Sequence, residues 1–327
     1  MASSPRCSST FRCGVEHAHA GWRFSSSHDG WMQLVLRKAD TKVDAKAQLP
    51  PGLSIATYNV WFDRRLQRAR ALATFRLFES LQPSVICLQE VTPNFLQYMC
   101  EDAYIRANYT LSDVQVTDQH QATSVLPYGV LMAVRNEVHS LLCSPRFTLH
   151  ALPTRMSRSL LVLSDSSSLA IATVHLESLD NQDTRTRQLQ ITHGLLEPFS
   201  FACLCGDFNF DCKTDFPLSR TFGKLPIENT CLERYLDDYV DVWAALHDLS
   251  SEDRFTFDGS TNAWISAKLF GIEQMRYDRV LVRSSDQLTF KSIEMFGRDH
   301  DDQVGGCLSD HFGLLCRVER VSPREKA

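Results

Sequence analysis

The sequence lacks a strong excess of either charge, and it lacks any long hydrophobic run. Its 327 residues include 34 basic and 39 acidic side chains, which gives a formal net charge of -5. Proteins that bind nucleic acid over a broad surface are often basic, so any such binding here must come from a local patch. No apolar stretch approaches the ~20 residues that a membrane-spanning helix needs. The N-terminus also lacks the apolar core of a secretory signal, so we expect no membrane association.

The cysteines lack the spacing of a disulfide framework or of a structural zinc site. There are 11 of them, an odd number, and no C-x-x-C pair occurs. Several lie inside apolar runs, namely Cys87, Cys203, Cys205 and Cys316. This usage is typical of buried thiols in a reducing compartment.

The chain shows no internal repeat, and its composition indicates a tail followed by one main domain. Residues 1–49 are predicted to form a largely disordered N-terminal tail with a short strand near Trp31–Leu36. The first part of this tail is rich in Arg and Ser, and Glu16 is its single acid. A mitochondrial transit peptide is therefore an alternative interpretation. A Pro-Pro-Gly sequence introduces the main domain at 50–321, and 322–327 form a C-terminal tail.

Within the main domain, short apolar runs alternate with helical segments and long loops. Thr92 followed by Pro93 predicts a helix start, because Thr is a favoured N-cap and Pro a favoured first residue. Helical periodicity is predicted over Arg64–Leu81, and the runs Val85–Leu88 and Phe201–Cys205 predict strands. The pattern predicts a layered α/β protein with its sheets inside.

Polar side chains recur at the ends of the predicted strands. They are Asn59, Glu90, His175, Asp207, Asn209, Asp278, Asp310 and His311. Each taken singly has a structural explanation, as a turn residue, a helix cap or a satisfied core histidine. Together they would surround one cleft if the strand ends converge. Carboxylate and amide oxygens are ligands that Mg²⁺ prefers, and imidazole with a carboxylate partner supplies acid–base chemistry. The set suits hydrolysis of a phosphate ester.

Five motifs around these residues, in this order, resemble those of the endonuclease/exonuclease/phosphatase superfamily. They are Thr57-Tyr58-Asn59-Val60, Leu88-Gln89-Glu90-Val91, His175-Leu176-Glu177-Ser178, Gly206-Asp207-Phe208-Asn209 and Ser309-Asp310-His311-Phe312-Gly313-Leu314. The resemblance covers about residues 53–317. It implies a two-sheet β-sandwich flanked by helices, which is the deoxyribonuclease-like fold.

Other segments resemble the tyrosyl-DNA phosphodiesterase 2 group within that superfamily. They are Arg185 with Gln188-Leu189, Val240–Trp243, Thr256–Asp258 with Asn262, and Arg276–Val280. The sequence departs from that group at Phe257 and Phe312, where Trp is common, and at Phe208, where Thr is common. The departures leave the residues of the chemistry intact and bear on the choice of substrate.

The resemblance implies hydrolysis of 5′-phosphotyrosyl bonds between topoisomerase-derived peptide and DNA, as a step of DNA repair. The expected partners are DNA 5′ ends that carry such a peptide, with RNA-linked peptides as a further option. A monomer in the nucleus or cytoplasm is expected. Four alternatives stay open: an abasic-site endonuclease, a deadenylase, a phosphoinositide phosphatase and a non-catalytic adaptor.

The resemblance also implies a role for each residue of the catalytic set. Glu90 would be the principal ligand of Mg²⁺, or of Mn²⁺ as a substitute, with Asn59 contributing and Asp310 nearby. Asp207 would orient or deprotonate the attacking water, which Asn209 would hold. The remaining members act on the phosphate: His311 would stabilise developing charge, Asp278 would keep His311 charged, and His175 would line the phosphate site.

Substrate contacts are predicted for a second set, which comprises Arg158, Arg185, Arg276, Phe257 and Asn262. Arg158 resembles the family arginine that reaches the cleft. Arg185 could instead lie on a solvated helix face, and Arg276 could be a solubilising charge beside a strand. Phe257 could stack on a base, as aromatic platforms do for single strands, or belong to the core.

Overall fold

Two mixed β-sheets form the centre of the protein, whose computed structural model describes residues 15–36, 52–114, 124–154, 158–213, 225–265 and 272–321. The first sheet has the spatial order β1 (Val15–His19), β8 (Arg146–Ala151), β9 (Ser159–Ser164), β10 (Leu169–His175), β11 (Phe201–Asp207), β15 (Asp278–Arg283) and β12 (Val240–Asp241). The second has the order β16 (Leu288–Phe296), β17 (Gly313–Arg320), β4 (Gly52–Asn59), β5 (Val85–Val91), β7 (Gly129–Arg135), β6 (Tyr109–Leu111), β2 (Trp22–Ser25) and β3 (Gly30–Gln33). The short strands β13 (Phe257–Asp258) and β14 (Gln274–Met275) pair separately.

Helices flank the two sheets. They are α1 (Gln67–Leu81), α2 (Pro93–Glu101), α3 (Ala103–Asn108), α4 (Asn136–Leu141), α5 (Gln182–Leu196), α6 (Ile227–Tyr235) and α7 (Val242–Leu246), with a 3₁₀ turn at Glu252–Arg254. As the sequence predicted, α2 begins with Pro93, and the Thr92 side chain accepts a hydrogen bond from the Phe95 amide. No helix among the described residues is long and apolar enough to cross a membrane.

Both faces of the central strands are buried, which explains their continuous apolar runs. On β4, Leu53 and Ile55 join the core between the two sheets, whereas Ala56 and Tyr58 pack beneath α1 and α2. A third apolar cluster lies between the first sheet and α5 and α6. The layers are therefore helix, sheet, sheet and helix, and the predicted two-sheet sandwich is confirmed. All nine cysteines of the described segments are free thiols, and most are buried.

The N-terminal segment corrects one expectation, because part of the predicted tail is folded. Strand β1 pairs with β8 in the first sheet, and β2 pairs with β6 in the second. The predicted short strand overlaps β3, which pairs with β2. These strands lie at or next to the edges of the sheets and are short and polar, so they carry no apolar run that would reveal them. Residues 1–14, 37–51 and 322–327 lie outside the described residues, so the predictions made there stay predictions.

Candidate active site

Two parallel strand pairs bring the polar strand ends together. Parallel strands finish at the same edge of a sheet, and the pair β4–β5 places Asn59 opposite Gln89, next to Glu90. In the other sheet, β10 runs parallel to β11 and aligns His175 with Asp207. The antiparallel neighbour β15 begins at this edge, where Asp278 pairs with Asp207. The predicted convergence of strand ends on one cleft is therefore observed.

A bulge at the end of β5 directs Glu90 into the cleft. The ladder between β5 and β7 shifts register between Leu88 and Val91, and Glu90 has a positive φ of 59°. Its Oε2 accepts a hydrogen bond from the Phe62 amide at 2.9 Å, and its Oε1 lies 3.8 Å from His175 Nε2. A non-glycine residue in the left-handed region costs conformational energy, and such strain clusters at functional sites.

Asp207 is held at both of its oxygens. Its Oδ1 accepts a hydrogen bond from the Asn209 amide at 2.8 Å, and its Oδ2 accepts one from Asn59 Nδ2 at 3.0 Å. The preceding Gly206 has a φ of 139°, and a Cβ there would lie 1.9 Å from the Val174 carbonyl oxygen. Only glycine fits this close approach of β11 to β10, so the pairing of the two strands fixes the backbone position of Asp207.

His311 and Asp278 form a buried pair beside Asp207. His311 Nδ1 lies 2.7 Å from Asp278 Oδ2, and its Nε2 lies 3.9 Å from Asp207 Oδ2. Burial alone would lower the pKa of His311, but the carboxylates of Asp278, Asp207 and Asp310 raise that pKa well above its ordinary value. Burial raises the pKa of Asp278 to about 6 even though His311 opposes the shift. We assign an imidazolium–carboxylate pair, with Nε2 of His311 directed at Asp207.

His175 is neutral, in contrast to His311. Burial and the neighbouring Arg158 guanidinium lower its pKa well below the ordinary value. Arg158 Nη1 donates to the imidazole from 2.6 Å, and the same guanidinium lies 3.6 Å from Glu177. Arg158 is only 4% exposed, so its guanidinium does not extend into the cleft, and it acts on the cleft by its contact with His175.

The donor set fits a hard divalent cation. Glu90, His175 and Asp207 offer ligand atoms within 4.8 Å of one another. Burial, and then the charge of Asp310, raise the pKa of Glu90 to about 7, and burial also raises the pKa of Asp310. Carboxylates that repel one another in a buried site are stabilised by a cation with oxygen ligands. Glu90 would hold it, and Asp310, whose charge acts on Glu90, stays a predicted second ligand. Asn59 Oδ1 accepts from the Trp61 amide and its Nδ2 donates to Asp207, so its contribution to the metal stays a prediction.

A buried arginine that the sequence did not single out organises the loops around the cation site. The Arg70 guanidinium is 2% exposed and donates to five backbone carbonyls, those of Val60, Trp61, Asp63, Arg65 and Leu308. Ser309 Oγ donates to the Asn59 carbonyl at 2.6 Å, which ties the same loops together. The available signal for this role was an arginine at helical spacing from the apolar residues Ala71, Phe75 and Phe78.

The structure corrects the predicted substrate contacts of two arginines. Arg185 is fully buried, and its Nε donates to Glu228 at 2.6 Å. Arg276 is also fully buried, and it makes a bidentate pair with Asp241 at 3.0 and 2.7 Å. Both guanidinium groups therefore form internal ion pairs, and neither is available to contact a substrate.

Asn262 and Phe257 surround the His311 loop in different ways. Asn262 is 1% exposed and donates to the Ser309 carbonyl at 2.8 Å, so it holds this loop and does not face a substrate, contrary to prediction. Phe257 is half-buried, and its ring meets His311 edge-on with centroids 5.1 Å apart. Phe257 thus borders the cleft, and its contact with substrate stays a prediction.

Comparison with known proteins agrees with this architecture. A sequence profile described as the Endonuclease/Exonuclease/phosphatase family matches residues 56–311. Among curated proteins, no sequence matches this chain.

Solved structures give the same fold. D. rerio TDP2 complexed with single strand DNA product is 23% identical with a TM-score of 0.62, over 82% of this chain and 99% of that one. A humanized D. rerio TDP2 with 14 mutations is also 23% identical, with a TM-score of 0.61 over the same shares. The human Nocturnin catalytic domain with bound sulfate is 17% identical with a TM-score of 0.52, over 84% and 96%. At these identities the likeness establishes the fold.

The profile match spans most of the chain, and the fold and the ordered motifs agree with it. This chain belongs to the endonuclease/exonuclease/phosphatase family.

Proposed function

We propose that this protein is a Mg²⁺-dependent phosphodiesterase that hydrolyses the 5′-phosphotyrosyl bond between a peptide and DNA. Members of its family are typically metal-dependent hydrolases. The observation that carries the proposal is the placement of Asp207, which lies between the amide of Asn59 and the charged pair of His311 and Asp278. Phosphoryl transfer needs positioning and charge neutralisation more than covalent chemistry, and this arrangement supplies both.

Each side chain has a task that its contacts support. Asp207 accepts the proton of the attacking water, because Asn59 and Asn209 fix both of its oxygens and leave its remaining lone pairs free. The His311 imidazolium faces the phosphoryl oxygens and stabilises the charge that develops there. Neutral His175 donates a hydrogen bond to the phosphate. A divalent cation at Glu90 and Asp310 would neutralise phosphoryl oxygen charge.

The choice of substrate rests on the segments that resemble tyrosyl-DNA phosphodiesterase 2 and on the DNA product in the D. rerio structure. The alignment covers 99% of the chain in that solved structure. Asp241 lies in one of the segments that carry the resemblance. It pairs with Arg276 and caps the N-terminus of α7, so this residue has a structural role in the present chain.

The test is a comparison of two labelled oligonucleotides in Mg²⁺. One carries a 5′-phosphotyrosine, and the other is a duplex with an abasic site. Release of a 5′-phosphate from the first alone, abolished in Asp207→Asn but retained in a surface control such as Asp286→Asn, is the expected result. Glu90→Gln should raise the Mg²⁺ concentration needed for half-maximal activity.

The other outcomes separate the alternatives. Cleavage of the abasic duplex alone would reassign the substrate within the same chemistry. Activity only on poly(A) or on phosphoinositides would identify a deadenylase or a lipid phosphatase. If no substrate is cleaved and Mg²⁺ does not raise the melting temperature, the protein is an adaptor and the proposal is wrong.

A further inference from the structure

The turn that follows β4 concentrates exposed aromatic and cationic side chains at the rim of the active site. Residues 61–68 read Trp-Phe-Asp-Arg-Arg-Leu-Gln-Arg, with Asp63 as the single acid. Phe62 is 47% exposed, and Arg64 and Arg68 are exposed as well. A chain with a net charge of -5 thus carries a local positive patch next to its carboxylate cluster.

Phe62 connects this turn directly to the site. Its amide donates to Glu90 Oε2 at 2.9 Å, and its ring stacks on Tyr128 with centroids 5.0 Å apart and an interplanar angle of 9°. The Tyr128 ring in turn lies 6.2 Å from His175, and the Arg158 guanidinium lies over it at 5.7 Å. One face of Phe62 is therefore supported by Tyr128, and the exposed part of the ring is available to a planar group at the cleft.

The arginines of the turn divide into one with internal partners and two without. Arg65 pairs with Asp63 at 3.1 Å and lies over the rings of Trp61 and Trp264. Within the described part of the chain, the side chains of Arg64 and Arg68 make no hydrogen bond or ion pair, although the Arg64 carbonyl accepts from the Gln67 amide at 3.3 Å.

Arg68 is placed where its charge is unfavourable to its own helix. It is the second residue of α1, and the first turn of α1 contains no acid. Cations are destabilising near a helix N-terminus because of the helix dipole, so the folded chain alone gives no reason for an arginine at this position. An anionic partner would remove the repulsion.

We propose that Phe62, Arg64 and Arg68 form a contact surface for a single nucleic-acid strand whose scissile phosphate lies at Asp207 and His311. A base stacks on Phe62, and neighbouring phosphates pair with the two arginines. A peptide offers no row of phosphates, and a lipid headgroup offers no planar ring. This inference rests on the proposed function for the position of the scissile phosphate, and it replaces the contacts first assigned to Arg185 and Arg276.

Binding of a fluorescent single-stranded oligonucleotide, measured by anisotropy in Mg²⁺ in the Asp207→Asn background, tests the surface without turnover. Phe62→Ala should weaken binding about tenfold, and Phe62→Trp should restore it, because stacking tolerates any flat ring. Arg64→Ala combined with Arg68→Ala should make the slope of log Kd against log salt shallower by about 1.4, since each phosphate contact to a single strand contributes roughly 0.7.

Matched controls are Leu141→Ala, for an exposed apolar side chain, and Arg146→Ala, for an exposed arginine on β8. Unchanged oligonucleotide binding in the Phe62 and arginine variants would overturn the surface. The surface would also be overturned if these variants lost binding to a phosphotyrosyl peptide but kept their binding to the oligonucleotide. A raised Mg²⁺ requirement in Phe62→Ala, unrelieved in Phe62→Trp, would show that Phe62 acts through Glu90 instead.

The anisotropy result is independent of the proposed activity. Binding that depends on Phe62 and the arginines, without hydrolysis by the wild-type chain, would retain the surface and reject the phosphodiesterase. Hydrolysis of the phosphotyrosyl oligonucleotide, with binding that does not depend on Phe62 and the two arginines, would support the phosphodiesterase and reject the surface.

Discussion

Single residues in this site gain their properties from neighbours that are distant in sequence. His175 ends β10 and His311 lies just before β17, yet Arg158 lies against the first and Asp278 against the second. One histidine is therefore held neutral and the other charged, within reach of the same aspartate, Asp207. Pairs of titratable groups whose pKa values are driven apart are typical of acid–base sites.

Asp278→Asn should lower kcat about 100-fold or more, because the loss of the carboxylate lets burial lower the pKa of His311 and removes its positive charge. The Mg²⁺ dependence should stay near that of the wild type, since Asp278 contacts His311 and not Glu90. Steady-state kinetics with a Mg²⁺ titration measures both quantities. A kcat within threefold of wild type would contradict the charged state of His311.

Residue type and motif were sufficient to predict the cluster of Asn59, Glu90, His175, Asp207 and His311, because each lies at one end of an apolar strand. They were insufficient for Arg185 and Arg276, since a buried guanidinium and a solvated one have the same sequence signature. What decides between them is an acid 43 positions from Arg185 and one 35 positions from Arg276. Such pairings come from the fold and not from local pattern.

Among the elements, α4 attaches the N-terminal strands to the second sheet through one histidine. His139 Nε2 lies 2.8 Å from the Ala20 carbonyl oxygen and so donates to it, which leaves Nδ1 to accept from Arg23 at 3.3 Å. Burial, with a smaller effect of the Arg23 charge, lowers the pKa of His139 to about 4, against the opposing effect of the Ala20 hydrogen bond. The folded protein thus requires a neutral imidazole at this contact.

This requirement predicts a pH dependence of stability. The unfolded chain protonates His139 near pH 6.5, while the folded chain resists protonation until about pH 4. The free energy of unfolding should therefore fall as pH decreases from 6.5 to 4, by about 3 kcal/mol from this residue. His139→Gln, which can donate to Ala20 without a titratable group, should flatten the curve in that window. Urea unfolding at several pH values measures this, and an unchanged pH dependence would exclude His139 as its source.

The sequence predicted the strands that are buried on both faces, but it did not predict most of those near the edges of the sheets. The central strands β4, β5, β10 and β11 carry apolar runs long enough to be read directly. The N-terminal strands need little burial, because their pairing to existing edges supplies the backbone hydrogen bonds. Polar sequence in that region therefore indicated a tail, although the backbone there extends both sheets.

Across the whole molecule, the N-terminal strands span both halves of the sandwich. Between β1 in one sheet and β2 in the other, the chain passes Gly21, whose φ is 97°. A Cβ at this position would lie 2.7 Å from the Phe147 ring and 2.8 Å from the Thr110 methyl group, which belong to different sheets. The crossing is therefore possible only with glycine, both for its backbone conformation and for its close packing.

Gly21→Ala should accordingly detach or distort this segment and lower the melting temperature by roughly 5 °C or more, as expected for a loss of about 2–3 kcal/mol. Gly30→Ala is the matched control, because Gly30 has no positive φ and its nearest contact would be 3.7 Å away. Hydrogen exchange should then show faster exchange in β6 and β8, whose outer edges the segment covers, with β10 and β11 unaffected. Equal melting temperatures for the two variants would mean that the segment does not contribute to the stability of the sandwich.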